Sequence, residues 1–269
     1  MEIIAKISKG TLMDQVYLPK NRPSMPTGSY VILKSIDNLT PNKINLTFHG
    51  IKYLEPIKLE ILNRIIKVIK QNTQDYQNII ITGSFLNKGF SFNDIDILVI
   101  SNVQLIPEKL SKILESQIGI PMHILILSNK ELLEGLNTDP LYELMLSQCI
   151  SENKFIYKIN KRINYKLLDL HLIKSKIIID NFDILNGKDK YHLIRNLIAI
   201  KLFLENRKLS SKIIDDTILK EFKLNNIQEL KDNLLDKQSF LIKFKEIYQK
   251  LFNNILQGID NDSKQKQNS

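Results

Sequence analysis

The stretch from Ile79 to Ile100, IIITGSFLNKGFSFNDIDILVI, constrains the fold more than any other part of this 269-residue chain. A β-branched run ends at Gly83-Ser84, a loop from Phe85 to Asn93 follows, and Asp94-Ile95-Asp96 opens a second apolar run. Short β-branched runs bounded by glycine read as buried strands. The sequence therefore predicts one strand over 79–82 and another over 94–100. Side chains alternate along a strand, so Asp94 and Asp96 project from the same face. Two neighbouring carboxylates repel each other unless a cation sits between them. Oxygen donors of this hardness suit Mg²⁺ or Mn²⁺. Gly83 allows close backbone approach, and the Ser84 hydroxyl is able to donate to a phosphate oxygen.

A strand, a Gly-Ser turn, a loop of this length and Asp-Ile-Asp on the next strand together resemble the nucleotidyltransferase superfamily of DNA polymerase β, in particular its small bacterial and archaeal members. The residues that carry the resemblance are Gly83, Ser84, Asp94, Ile95 and Asp96, with Ile97 to Ile100 continuing the strand. Lys88 and Gly89 match the glycine and neighbouring basic residue that many small members carry in this loop. The plain alternative is a β-hairpin with a solvated acidic end. The resemblance implies that Asp94 and Asp96 hold a divalent cation, Mg²⁺ or Mn²⁺. It further implies that Gly83 and Ser84 cradle the β- and γ-phosphates of a nucleoside triphosphate, with Lys88 available to neutralise phosphate charge.

This chain departs from the family pattern at one point. Competent members place a third carboxylate on a later strand, and the matching segment here, Ile118 to Leu127, holds no Asp or Glu. His123 is its one polar side chain. Imidazole serves Mn²⁺ better than Mg²⁺ and is able to act as a base. It is taken as a tentative metal ligand against the simpler expectation of a hydrogen-bonded core histidine.

Elsewhere the chain organises by periodicity. Residues 1–52 form a β-rich extension with strands expected at Met1–Ile7, Tyr30–Lys34 and Lys43–Phe48. Pro56 opens a helix whose stripe is Ile61, Ile65, Ile66 and Ile69. Pro107 starts a second, over Glu108–Gln117. Ser128 to Glu131 is a capping box for a third, through Leu136, and Pro140–Cys149 is a fourth. The nucleotidyltransferase domain is closed near residue 158, giving 53–158. Four helical stretches follow, at Arg162–Leu185, Lys188–Asn206, Ser210–Phe222 and Ile227–Leu256, so 159–256 reads as a helical bundle. Residues 257–269 read as a polar, disordered tail. The expected fold class is α+β, a small mixed sheet flanked by helices, with the N-terminal β-extension and the C-terminal bundle. A bundle in this place resembles that of aminoglycoside nucleotidyltransferases. His192 and Arg195 lie on it without the Arg-x4–6-His spacing of HEPN ribonucleases, and neither receives a role.

Composition adds exclusions. The single Cys149 rules out an intramolecular disulfide or a cysteine zinc cluster and reads as a core residue. Met1 to Gly10 lacks the apolar core of a signal peptide, and no stretch approaches a membrane span, so a cytoplasmic chain without a membrane partner is expected. A net charge of +9 favours polyanions, but the lysines are scattered rather than massed. The expected activity is transfer of a nucleoside monophosphate from an NTP to an acceptor hydroxyl, releasing pyrophosphate. The acceptor (small molecule, protein or RNA) and the oligomeric state are not encoded legibly. The alternative is a weak or silent nucleotide- and metal-binding regulatory module, or an antitoxin-like interaction protein.

Overall fold

The computed structural model describes residues 5, 7–11, 14–18, 46–103 and 105–267. The protein is α+β, with a five-stranded mixed sheet, a separate two-stranded sheet and flanking helices. Two compact units emerge: Met1–Leu132 with Gln148–Tyr157, and Leu133–Ser147 with Lys158–Ser269. The strand expected at Tyr30–Lys34 lies outside the described residues, as does most of that expected at Met1–Ile7.

In the first unit, β1 (Ile7–Ser8) and β2 (Gln15–Val16) form the two-stranded antiparallel sheet. β3 (Thr47–His49) is one edge of the large sheet. The helix α1 (Pro56–Asn72) follows, started by proline in its first turn and closed where the Thr73 amide donates to the Ile69 carbonyl. β4 (Tyr76–Thr82) begins before the expected stretch, and a single 3-10 turn, Ser84–Leu86, follows it. β5 (Ile95–Ser101) leads through α2 (Pro107–Ile118) to β6 (Met122–Leu127). Gly119 ends α2 in the left-handed conformation, φ 77°, and so shortens the strand expected from Ile118. α3 (Asn129–Thr138) and α4 (Pro140–Leu146), which from Leu133 onward belong to the second unit, precede β7 (Cys149–Ser151) of the first.

The sheet order is β3-β7-β4-β5-β6. β4 runs antiparallel to both β5 and β7, whereas β5 and β6 are parallel, joined by the α2 crossover. Alternation then divides the strands into faces. Ile79, Ile81, Ile95, Ile97 and Val99 share one core with Ile61, Leu62, Ile65, Ile66 and Ile69 of α1 and Leu110, Leu114 and Ile118 of α2. Each fully buried aliphatic side chain contributes about 1.5–3 kcal/mol relative to exposure. The same alternation puts Asp94, Asp96, Leu98 and Ile100 on the opposite face, away from those two helices.

The second unit is helical: α5 (Tyr165–Asp180), α6 (Gly187–Leu204), α7 (Ser211–Phe222), α8 (Ile227–Lys231) and α9 (Lys237–Gln267). Its core centres on α6, where Ile194, Leu197, Ile198, Ala199, Ile200, Leu202 and Phe203 are all buried. Three expectations change here. Residues 133–147 join this unit instead of the 53–158 domain, because Leu144 of α4 packs into the helical core. The stretch expected as one helix over 227–256 breaks at 232–236, where Asn233 adopts φ 64°. Helix α9 continues through Gln267 in place of a disordered tail. Cys149 begins a strand and does not end a helix. It is fully buried, which pushes its thiol up to about 12, so at neutral pH it stays protonated and inert.

Candidate functional site

The paired carboxylates and the Gly-Ser turn lie at one end of the β4–β5 pair. Thr82, the last residue of β4, is opposite Asp96, and on the other side Asp96 is in register with His123 of β6. Asp94 stands just before β5, whose first amide, that of Ile95, donates to the Pro121 carbonyl at 3.0 Å and so ties this end of β5 to β6. Asp94 and Asp96 are both half-buried, while Gly83 and Ser84 are exposed. An acidic pair and an exposed Gly-Ser turn thus share one rim of the sheet.

Gly83 fixes this arrangement. Its backbone has φ 83° and ψ −166°, a region closed to ordinary L-residues. A Cβ added there would lie 2.0 Å from Oδ2 of Asp96. The Asp96 carboxylate therefore occupies the space that any side chain at position 83 would need. That close approach is the reason the sequence has glycine here, and it sets Asp96 against the turn leading into Ser84.

His123 is not a core residue: its side chain is 83% exposed, and its Nδ1 lies 3.7 Å from Oδ1 of Asp96. β6 is the other edge of the sheet, so a polar side chain on this face reaches water. The structure brings Gly83, Asp96 and His123 together, with Ser84 next in chain. Lys88 is exposed on the intervening loop. Among the described residues no three His, Cys, Asp or Glu side chains are grouped so as to hold a metal ion. The structure corrects the core-histidine expectation at position 123, and it sets His123 beside Asp96, where a third ligand was expected. The carboxylate pair has the hard-oxygen chemistry that suits one divalent cation, and it lacks a closed three-donor set.

Sequence reasoning missed Glu55 and Lys58. Lys58 falls on the apolar stripe of α1, at the i position of Lys58, Ile61, Leu62, Ile65, Ile66 and Ile69, and it is fully buried. A lysine on the buried stripe of an amphipathic helix was the available signal. In the helical unit, Tyr191 donates to Asp215 Oδ1 at 2.8 Å, and burial raises both groups above their ordinary values. His192 and Arg195 sit beside that pair and gain no further role from it.

No helix among the described residues is long and apolar enough to cross a membrane. Comparison with known proteins gave no matching family model, no matching curated protein and no matching solved structure.

Proposed function

We propose that the rim formed by Gly83, Ser84, Asp94 and Asp96 binds a nucleoside triphosphate with a divalent cation and transfers its nucleoside monophosphate to an acceptor hydroxyl. The observation that carries this reading is the close approach of the Asp96 carboxylate to Gly83, which joins an acidic pair to an exposed Gly-Ser turn. The order strand, Gly-Ser, loop and Asp-Ile-Asp strand also supports a core like that of DNA polymerase β, with α1 before the first strand and α2 crossing to the parallel strand β6.

In this reading the acceptor oxygen forms a bond to the α-phosphorus, the bond from that phosphorus to its bridging oxygen breaks, and pyrophosphate leaves. Asp94 and Asp96 would hold Mg²⁺ or Mn²⁺, whose positive charge offsets that of the phosphates. The Ser84 hydroxyl and the turn amides orient the β- and γ-phosphates, and Lys88 contributes charge from the loop. His123, exposed beside Asp96, is placed to accept the acceptor's hydroxyl proton. Catalysis rests on positioning and fixed electrostatics more than on covalent chemistry.

A second reading has its own observation. With no group of three potential ligands among the described residues, the site is also that of a nucleotide sensor performing no transfer. One experiment separates the readings. Purified chain is titrated with each NTP and Mg²⁺ or Mn²⁺ by calorimetry, then assayed for pyrophosphate. Metal-dependent binding that Asp94→Asn with Asp96→Asn abolishes, the fold persisting, supports the site; binding unchanged in that variant sinks it. Pyrophosphate release, reduced by His123→Ala, selects the enzyme, whereas binding without release selects the sensor.

A further inference from the structure

Glu55 and Lys58 have no part in the site described above, yet they grip the loop that separates its two halves. Lys58 Nζ donates to the Asn87 carbonyl at 2.5 Å and faces Glu55 Oε2 at 3.1 Å. The rings of Phe85, Phe90 and Phe92 surround the ammonium, with centroids 5.6, 5.3 and 5.6 Å away. All three phenylalanines belong to the loop or its first turn. Glu55 Oε1 in turn accepts from the Gly89 amide at 2.7 Å. Thus a loop carbonyl at 87 and a loop amide at 89, on either side of Lys88, are both tied to the first turn of α1.

The placement has a chemical logic. A buried ammonium is unfavourable unless it is paired and hydrogen-bonded, and an apolar residue would fill this stripe position at less cost. Glu55 also stands at the N-cap of α1, where a side chain ordinarily accepts from the helix amides, but it makes no cap bond. Its carboxylate is directed to the loop instead. The pair is neutral as a unit, so it fixes the loop without placing an uncompensated negative charge near the proposed phosphate site.

We infer that Glu55 and Lys58 are positioning residues, which hold the loop over 84–92 in the shape that presents Gly83, Ser84 and Lys88 to a triphosphate. This inference rests on the nucleotide reading of the site. Neither residue touches the ligand; both act through the Asn87 carbonyl, the Gly89 amide and the three rings. The function served is discrimination by phosphate number, since a loop set for the β- and γ-phosphates leaves nucleoside monophosphate binding indifferent to it.

Two measurements on the full chain test it. The first is amide hydrogen exchange over 85–91 without nucleotide, in wild type, Glu55→Ala, Glu55→Gln and Lys58→Met. The second is calorimetry of the same proteins with ATP and with AMP, each with Mg²⁺, at a temperature where circular dichroism shows all of them folded. Glu55→Ala and Lys58→Met are expected to speed loop exchange, leave β4 and β5 exchange unchanged, and weaken ATP binding about tenfold, the equivalent of one charge-assisted hydrogen bond. AMP binding should stay the same. Glu55→Gln, which keeps an acceptor for Gly89, should recover most of the ATP affinity. Loop exchange unchanged in the variants overturns the grip itself. Faster exchange with ATP binding unchanged, or equal losses for ATP and AMP, overturns the positioning role. A wild-type chain that binds no triphosphate overturns the nucleotide reading, and the exchange data then report the grip separately.

Discussion

Gly83 shows how much one residue decides here. A backbone at φ 83° and ψ −166° costs an L-residue about 1–3 kcal/mol, and a Cβ would meet Asp96 Oδ2 at 2.0 Å. Gly83→Ala is therefore expected to lose about that much stability in denaturant titration. It should also displace the Asp96 carboxylate and remove metal-dependent NTP binding. A stable variant that binds NTP as before would separate Asp96 from the turn. Gly89, also at positive φ (84°), has open space around its missing Cβ, so alanine there would meet backbone strain alone. The two loop glycines thus serve different ends: close approach at 83, chain direction at 89. His123 makes the complementary point, because an exposed side chain on an edge strand is free for chemistry and contributes little to the core.

Elements in this protein are set by their ends. Asn164, Asn186, Ser210 and Asn226 each accept from the amide three residues on, opening α5, α6, α7 and α8. The start of α1 departs from that scheme, its N-cap carboxylate turned to the loop. That element is accordingly pH-sensitive. The Gly89 amide first, then the residue's own amide and the Lys58 ammonium, hold the Glu55 carboxyl below its ordinary value of 4.5. A carboxyl lowered by folding contributes stability that is fully present above 4.5 and is lost as pH falls through its lowered folded value. Loop exchange over 85–91 should therefore rise in acid below the ordinary carboxylate range, and Glu55→Gln should flatten that rise. An equally steep acid response in Glu55→Gln would place the titrating group elsewhere.

Among the described residues, most of the buried apolar side chains fall into two clusters, one in each unit. Leu62 and Leu197 are fully buried representatives of the two. Truncation of either to alanine should cost about 2–5 kcal/mol, through lost transfer energy and the cavity left behind. With separate cores, Leu62→Ala is expected to speed exchange of the sheet amides, and Leu197→Ala that of the α5, α6 and α9 amides. A single calorimetric transition, with uniform acceleration everywhere in both variants, would show instead that the two units unfold as one.

The sequence by itself determined the local pieces. β-Branched runs fixed β4 and β5, proline fixed the starts of α1, α2 and α4, and the spacing of Asp94 and Asp96 fixed their shared face. Each of these follows from short-range sterics or from the alternation of side chains along a strand. Only the tertiary structure decided which faces are covered and by what. A strand pattern does not tell an edge from a centre, so an expected core histidine proved exposed at position 123. Periodicity does not show which core a helix joins, so α4 went to the helical unit through Leu144. The place of Lys58 on the apolar stripe of α1 is legible in sequence, but its partners are not: its burial against three phenylalanines and Glu55 depends on a loop nearly thirty residues away, at the Asn87 carbonyl, that only packing brings to it.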